Sequence, residues 1–93
     1  MNRRVILSPD ARANWEDAAR WYHRHEKNLS RRFSAEVQSM LLRIARHPYA
    51  FVRVRSGRRA TLSRFPYYIF FMFDGATVFV IGIRHQRRAN IGF

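Results

Sequence analysis

The 93-residue sequence contains no cysteine, and a single lysine stands among its eighteen basic residues. The lack of cysteine excludes disulfides and thiolate metal sites and fits a reducing compartment. Acidic residues are also scarce, with six in total, so the formal net charge is +12. The apolar run 5–7 after the basic start is too short for an export signal. No apolar run approaches the length of a membrane span, and we expect a cytoplasmic protein without membrane association.

The positive charge is carried by arginine, and in the second half of the chain almost no acid offsets it. From residue 51 onward there are eight arginines and a single acid, Asp74. Arginine favours planar, bidentate contacts with phosphate or carboxylate. A GC-rich genome would explain arginine in place of lysine, but it would not explain the shortage of acids. The charge therefore predicts a polyanion or an acidic protein as partner.

Two apolar runs, 67–73 and 77–83, are separated by Asp74-Gly75. Aromatic and β-branched runs around Asp-Gly predict a β-hairpin, in which Phe73 would lie opposite Ala76. The two faces are expected to carry Tyr68, Phe70, Met72, Phe79, Ile81 and Ile83 on one side, and Tyr67, Ile69, Phe71, Phe73, Val78 and Val80 on the other. An antiparallel hairpin normally has one polar face. Here the helices would cover one side, and loops, the tail or another chain would cover the second.

The residues before the hairpin predict one strand, two helices and a further strand. Residues 3–7 are a strand candidate, Ser8 caps a helix from Pro9 to about residue 26, and Ser30 caps a second helix that ends before Pro48. We expect a loop over 48–58 and a strand over 59–65. The prediction is a single domain over residues 1–93 of the α+β class, in the order β-α-α-β-β-β, with an N-terminal short strand and an antiparallel helical hairpin packed on a C-terminal antiparallel sheet.

This order of elements, with these residues, resembles the RelE/ParE superfamily of bacterial toxins from type II toxin–antitoxin modules, known also for plasmid stabilisation. The resemblance covers nearly the whole chain. Its most specific parts are 64–67, Arg-Phe-Pro-Tyr, and 83–88, which includes Ile-Arg-His and two further arginines. It implies a cytoplasmic growth inhibitor neutralised by a small acidic antitoxin encoded beside it, whose C-terminal segment lies along the toxin as helix and strand.

The superfamily has two branches with different targets. ParE-like members poison DNA gyrase and are not nucleases, whereas RelE-like members cut mRNA on the ribosome. The Phe-Pro-Tyr entry, the helical hairpin and a single histidine followed by two arginines look more like ParE, which favours a non-enzymatic gyrase inhibitor. The ribosome-dependent endonuclease remains the alternative, with a histidine base and an arginine clamp formed by Arg59, Arg64, His85, Arg87 and Arg88.

The predicted surface for the target or the antitoxin comprises Arg58, Arg59, Arg64, Tyr67, Ile69, Phe71, Arg84, His85, Arg87, Arg88 and Phe93. No metal site or cofactor is expected, because His23 and His25 cannot share a helix face and acids are few. A homodimer and a heterotetramer with the antitoxin both stay open. Two further alternatives are a basic nucleic-acid-binding module without toxin activity and an inactive remnant that still binds antitoxin.

Overall fold

The computed structural model describes residues 2–87 of the chain. The predicted α+β class is confirmed, because two helices pack on one mostly antiparallel sheet. The elements are β1 (Arg4–Leu7), α1 (Pro9–His25), α2 (Lys27–Arg46), a 3₁₀ turn (Pro48–Ala50), β2 (Val52–Val54), β3 (Gly57–Thr61), β4 (Tyr67–Phe73) and β5 (Thr77–His85).

The sheet has the strand order β1-β5-β4-β3-β2. Strand β1 runs parallel to β5, and the other pairs are antiparallel. Because β1 is short, it pairs only with residues 77–80, the first part of β5. The remainder of β5 therefore lies at an edge of the sheet in the part of the chain that the structure describes.

Helix α1 begins as predicted, because the Ser8 side chain accepts a hydrogen bond from the Ala11 N–H at 3.0 Å. The predicted start of α2 was wrong. That helix begins at Lys27, directly after one extended residue, Glu26, so Ser30 lies inside the helix and caps nothing. One residue with an extended backbone conformation, Glu26, separates the two helices. No turn motif in the sequence indicates this break.

The predicted loop over 48–58 was also wrong in part, since it contains β2 and the start of β3. Arg55 adopts a left-handed backbone conformation, with φ of 51°, and the turn at 55–56 joins the two strands. Strand β3 ends at Thr61 rather than at residue 65. Residues 62–66 form a loop because the Glu36 carboxylate of α2 accepts hydrogen bonds from the Ser63 hydroxyl at 3.0 Å and the Arg64 N–H at 3.3 Å.

The hairpin of β4 and β5 is confirmed, but its register differs from the prediction. Phe73 pairs with Val78, two residues beyond the expected Ala76. The Asp74 carboxylate accepts hydrogen bonds from the N–H groups of Ala76 at 2.9 Å and Thr77 at 2.8 Å, which stabilises a longer turn. A shift of two residues keeps the side chains on their predicted faces as far as Val80.

A β-bulge at Ile81 changes the faces beyond it. Phe70 pairs with Gly82 while Phe71 pairs with Val80, so Ile81 is an extra residue in β5. The bulge turns Ile83, 2% exposed, toward the helices, where it joins the core. The prediction that Ile83 shares a face with Phe79 and Ile81 was therefore wrong, and His85 moves to the helix side with Ile83.

The core lies between the helical hairpin and one face of the sheet. An aromatic cluster occupies its centre, with ring centroids 5.0–5.3 Å apart between Tyr22 and Phe65, between Phe33 and Phe65, and between Phe33 and Tyr67. The Phe-Pro-Tyr segment thus directs two rings onto the helices. No helix among the described residues is long and apolar enough to cross a membrane.

Candidate functional site

The sheet face opposite the helices carries a row of apolar side chains. We call this surface the open face, and its apolar residues are Ile6, Tyr68, Phe70, Met72, Phe79 and Ile81. Ile6, Met72 and Phe79 lie side by side on three neighbouring strands and are 42%, 40% and 39% exposed. No helix packs on this face in the described part of the chain. A row of neighbouring exposed apolar residues of this kind marks an interaction surface.

Arginines border the open face, and the described strands contain no acid. The Arg59 guanidinium lies 5.3 Å from the Tyr68 ring centroid, a cation–π contact that also shields the ring. Arg84 pairs with Tyr68 across the hairpin. Its side chain lies on Gly82, where a Cβ atom would come within 2.9 Å of its Nε atom. The open face is therefore an apolar surface with cationic margins, which suits an amphipathic acidic partner.

A groove lies beside the open face, between α1 and the end of β5. We call it the basic groove, and its lining includes Trp21, Tyr67, Arg84, His85 and Arg87. Tyr68 also lines it, so this tyrosine and Arg84 belong to both surfaces. Three residues of the predicted surface, Arg84, His85 and Arg87, thus meet in one groove at the end of the hairpin.

His85 is half-buried and lines this groove. Its ring packs edge-on against Tyr67, with centroids 5.1 Å apart, and its Nδ1 accepts a hydrogen bond from the Arg87 N–H at 3.1 Å. This bond places the proton of the neutral ring on Nε2. Arg59 lies two strands away on β3, so it does not line the groove with His85. Its contact with the Tyr68 ring places it on the open face, where Arg84 also lies.

Several predicted partner contacts have other roles in the structure. Ile69 and Phe71 are fully buried under the helices and are enclosed by the core. Arg58 donates hydrogen bonds to the carbonyl oxygens of Phe51 at 2.9 Å and Tyr49 at 3.4 Å, which ties the 3₁₀ turn to the sheet. These side chains lie on the helix side because they alternate with the open-face residues along their strands.

Of the remaining predicted residues, two lie within the described part of the chain and two lie outside it. Arg64 is exposed in the loop before β4, and its main-chain N–H is held by Glu36. Tyr67 is half-buried between the aromatic cluster and His85. Arg88 and Phe93, which the sequence placed in the site, lie outside the described residues.

Sequence reasoning missed the part that α1 plays in the groove. Trp21 is 47% exposed, and its ring stacks on His25 at 3.9 Å between centroids. Arg20 and Arg24 line the same groove, and neither belongs to the surface predicted from the sequence. The available signal was Trp21 next to Arg20, because tryptophan and arginine are both enriched at protein interfaces.

Tyr22 lines the groove from the side of α1. Burial raises the pKa of the Tyr22 phenol, and the nearby Tyr67 raises it further, so the hydroxyl stays protonated at neutral pH. Within residues 2–87, no cluster of three or more His, Asp or Glu residues is arranged to hold a metal ion. The described lining of the groove offers cationic, aromatic and apolar contacts.

Comparison with known proteins identifies the fold and the family. A family model described as the ParE toxin of the type II toxin-antitoxin system, parDE, matches residues 5–90. A solved structure described as the chromosomal ParDE TA system from P. aeruginosa is similar in fold, with a TM-score of 0.77 and 14% identity. The alignment covers 89% of this chain and 95% of that chain. No curated protein sequence matches significantly.

Proposed function

The chain belongs to the ParE toxin family of type II toxin–antitoxin systems, and from this premise we propose that it arrests growth by acting on DNA gyrase until an acidic antitoxin covers its open face. The family match confirms the sequence-based choice of the ParE branch. Gyrase as target, the antitoxin contact and action in the cytoplasm are the proposed parts.

The observation that carries the antitoxin contact is the open face itself. Ile6, Met72 and Phe79 are each about two-fifths exposed on a folded, single-layer sheet. Exposed apolar residues next to arginines match a partner that is apolar on one side and acidic at its margins. A small, acidic, partly disordered antitoxin would gain its order by covering this surface.

A charge placed in the open face tests this contact. Phe79→Asp is expected to weaken binding of the acidic protein encoded beside the toxin gene by at least about a hundredfold, because a buried carboxylate without a partner costs several kcal/mol. Leu42→Asp is the matched control, since Leu42 is 59% exposed on α2. Isothermal titration calorimetry measures both affinities. Equal affinity of the two variants would remove the open face from the antitoxin interface.

The gyrase target is supported by the family and by the geometry at His85. An endonuclease needs a base, an acid and cations around one phosphate. The proposed set is divided here, with Arg59 on the open face and Nδ1 of His85 engaged by the Arg87 N–H. This arrangement favours a toxin that acts by binding over one that cuts RNA.

A supercoiling assay with purified protein tests the target. We expect the chain to block supercoiling by DNA gyrase at micromolar concentration, while mRNA on translating ribosomes stays intact. Normal supercoiling at saturating toxin would contradict the proposal. Codon-linked mRNA cleavage that disappears in His85→Ala would establish the endonuclease instead. The observation behind this second candidate function is that His85 lines one groove with Arg84 and Arg87.

A further inference from the structure

The second part of β5 is an edge of the sheet that β1 does not reach. Strand β1 pairs with residues 77–80 only, and no described strand pairs with 81–85 on that side. The N–H of Gln86 bonds to the Pro66 oxygen. Along an antiparallel strand, the backbone N–H and C=O groups of successive residues point alternately toward and away from the partner strand. Since Gln86 points toward the β4 side, Ile83 and His85 point away from β4. Both residues line the basic groove, so this edge faces the groove.

Two side chains of the α1 region already bond to this edge. The Ser8 hydroxyl donates to the Ile81 carbonyl oxygen at 2.9 Å, and the Asn14 side-chain oxygen accepts from the Ile83 N–H at 3.1 Å. These two bonds occupy backbone groups of β5 with which a longer β1 would have paired. The Ile83 carbonyl and the His85 N–H remain without a strand partner in the described part of the chain, and both residues line the groove.

The walls of the groove are cationic and aromatic. Arg20, Arg24, Arg84 and Arg87 line it, together with one acid, Asp17, which is already paired with Arg20. The exposed ring of Trp21 lies among them. Tryptophan and arginine are the residues that most often dominate the binding energy of protein interfaces.

From this juxtaposition of a partly paired strand edge, arginines and an exposed tryptophan, we propose that the basic groove binds an extended acidic segment of the toxin's protein target, which adds to the sheet beside Ile83 and His85. A peptide supplies both the N–H and the C=O that the edge requires, whereas a nucleic acid offers no such ladder. The inference rests on the proposed toxin function but not on gyrase being the target.

The chemistry of the two surfaces assigns them to different partners. The open face is apolar, as in interfaces of permanent complexes, whereas the groove is polar and charged, as in interfaces that form and separate. Tyr68 and Arg84 contribute to both. A protein that covers the open face would therefore reach the rim of the groove, and neutralisation would follow from competition with the target.

The direct test uses the peptide acetyl-Glu-Val-Glu-Val-Glu-Val-Glu-amide, its counterpart with Lys in place of Glu, and an oligothymidylate of about eight nucleotides. We expect the acidic peptide alone to quench Trp21 fluorescence in a Trp15→Phe background and to slow hydrogen exchange of the His85 amide. The double variant Arg24→Glu, Arg87→Glu should bind it at least about tenfold more weakly. The double variant Arg46→Glu, Arg53→Glu is the matched control; it makes the same change in net charge outside the groove, and Arg53 lies on the opposite edge of the sheet.

Three results would overturn the inference: no binding of the acidic peptide at millimolar concentration, binding without protection of the His85 amide, or binding of the oligonucleotide in the groove with similar affinity. In cells, induction of the groove double variant should permit growth while the control double variant still arrests it. Both must show the circular dichroism spectrum of the wild type. If the wild type itself is harmless, the toxin function has failed, and the peptide titration still decides whether the groove binds.

Discussion

At the scale of single residues, two glycines of this chain have opposite environments. A Cβ atom at Gly57 would lie 2.5 Å from the Phe71 carbonyl oxygen and 2.9 Å from the Phe70 ring. Because the Phe71 carbonyl is backbone and moves only at a cost, the absence of a side chain at Gly57 leaves room for the Phe70 ring. A Cβ atom at Gly75, in the hairpin turn, would meet nothing within 4 Å.

We therefore expect Gly57→Ala to lower the free energy of unfolding by about 1–3 kcal/mol, as overpacking does. Gly75→Ala is the matched control and should change it by less than about 0.5 kcal/mol, since Gly75 has no positive φ. Urea denaturation monitored by circular dichroism measures both values. Equal stability of the two variants would mean that the close approach at Gly57 is relieved by a backbone shift.

Asp74 makes the hairpin turn sensitive to acid. Hydrogen bonds from the Ala76 and Thr77 N–H groups hold the pKa of its carboxyl below the usual 3.8. A lowered folded-state pKa contributes stability above the unfolded value, and this stability is lost as the pH falls through the folded value. The stabilisation by Asp74 should therefore be complete at pH 6 and disappear in the acid range below 3.8.

The variant Asp74→Asn isolates this effect, because the amide oxygen can accept the same bonds without the charge. We expect a lower melting temperature than wild type at about pH 6 and a difference that shrinks as the pH drops below about 4. Thermal melting across that range measures it. A constant difference at all pH values would show that the carboxylate charge does not stabilise the turn.

At the scale of elements, one serine connects the start of a helix to the bulge of a strand. Ser8 accepts from the Ala11 N–H and donates to the Ile81 carbonyl, so the same hydroxyl caps α1 and anchors β5 where the bulge interrupts pairing. The bulge in turn places Ile83 and His85 on the helix side. The end of β5, and with it the basic groove, depends on this local arrangement.

Loss of the Ser8 hydroxyl should accordingly cost more than a helix cap alone. We expect Ser8→Ala to reduce stability by about 1.5–3 kcal/mol, the sum of a lost cap and an unpaired carbonyl. Ser30→Ala is the control, because Ser30 lies within α2 and makes no capping bond; it should be neutral or slightly stabilising. Chemical denaturation compares them, and a similar loss in both would contradict the double role of Ser8.

At the scale of the whole molecule, the net charge of +12 opposes the compact state. The described residues show a single ion pair, between Arg20 and Asp17, so most arginines gain little from neighbouring acids. Unscreened repulsion of this kind destabilises a folded protein and weakens with added salt. An acidic partner would relieve it as well, which links the stability of the toxin to its binding.

We expect the melting temperature of the isolated chain to rise by about 3–8 °C between about 20 and 300 mM sodium chloride, equivalent to roughly 1 kcal/mol. Scanning calorimetry at neutral pH measures the shift, and the Arg24→Glu, Arg87→Glu variant should show a smaller one because its net charge is lower. A melting temperature that does not depend on salt would argue that the arginines are too dispersed to repel one another.

Much of the architecture followed from local patterns in the sequence. The limits of α1, the end of α2 before Pro48 and the β4–β5 hairpin were all predicted, because caps, proline and alternating apolar residues act over a few positions. The excess of arginine and the apolar character of both hairpin faces also pointed to an acidic, apolar partner. The family model over residues 5–90 confirms the family resemblance.

The sequence alone determined the two helices, the first strand, the β4–β5 hairpin and the cationic character of the surface. Only the tertiary structure decided which side chains meet, since the bulge at Ile81 reverses the faces of β5 beyond it and the shortness of β1 leaves an open edge beside Trp21. Both depend on contacts between residues far apart in the chain, such as Ser8 with Ile81 and Asn14 with Ile83. Patterns of neighbouring residues do not predict such long-range hydrogen bonds, because these bonds form only when the helix packs on the sheet.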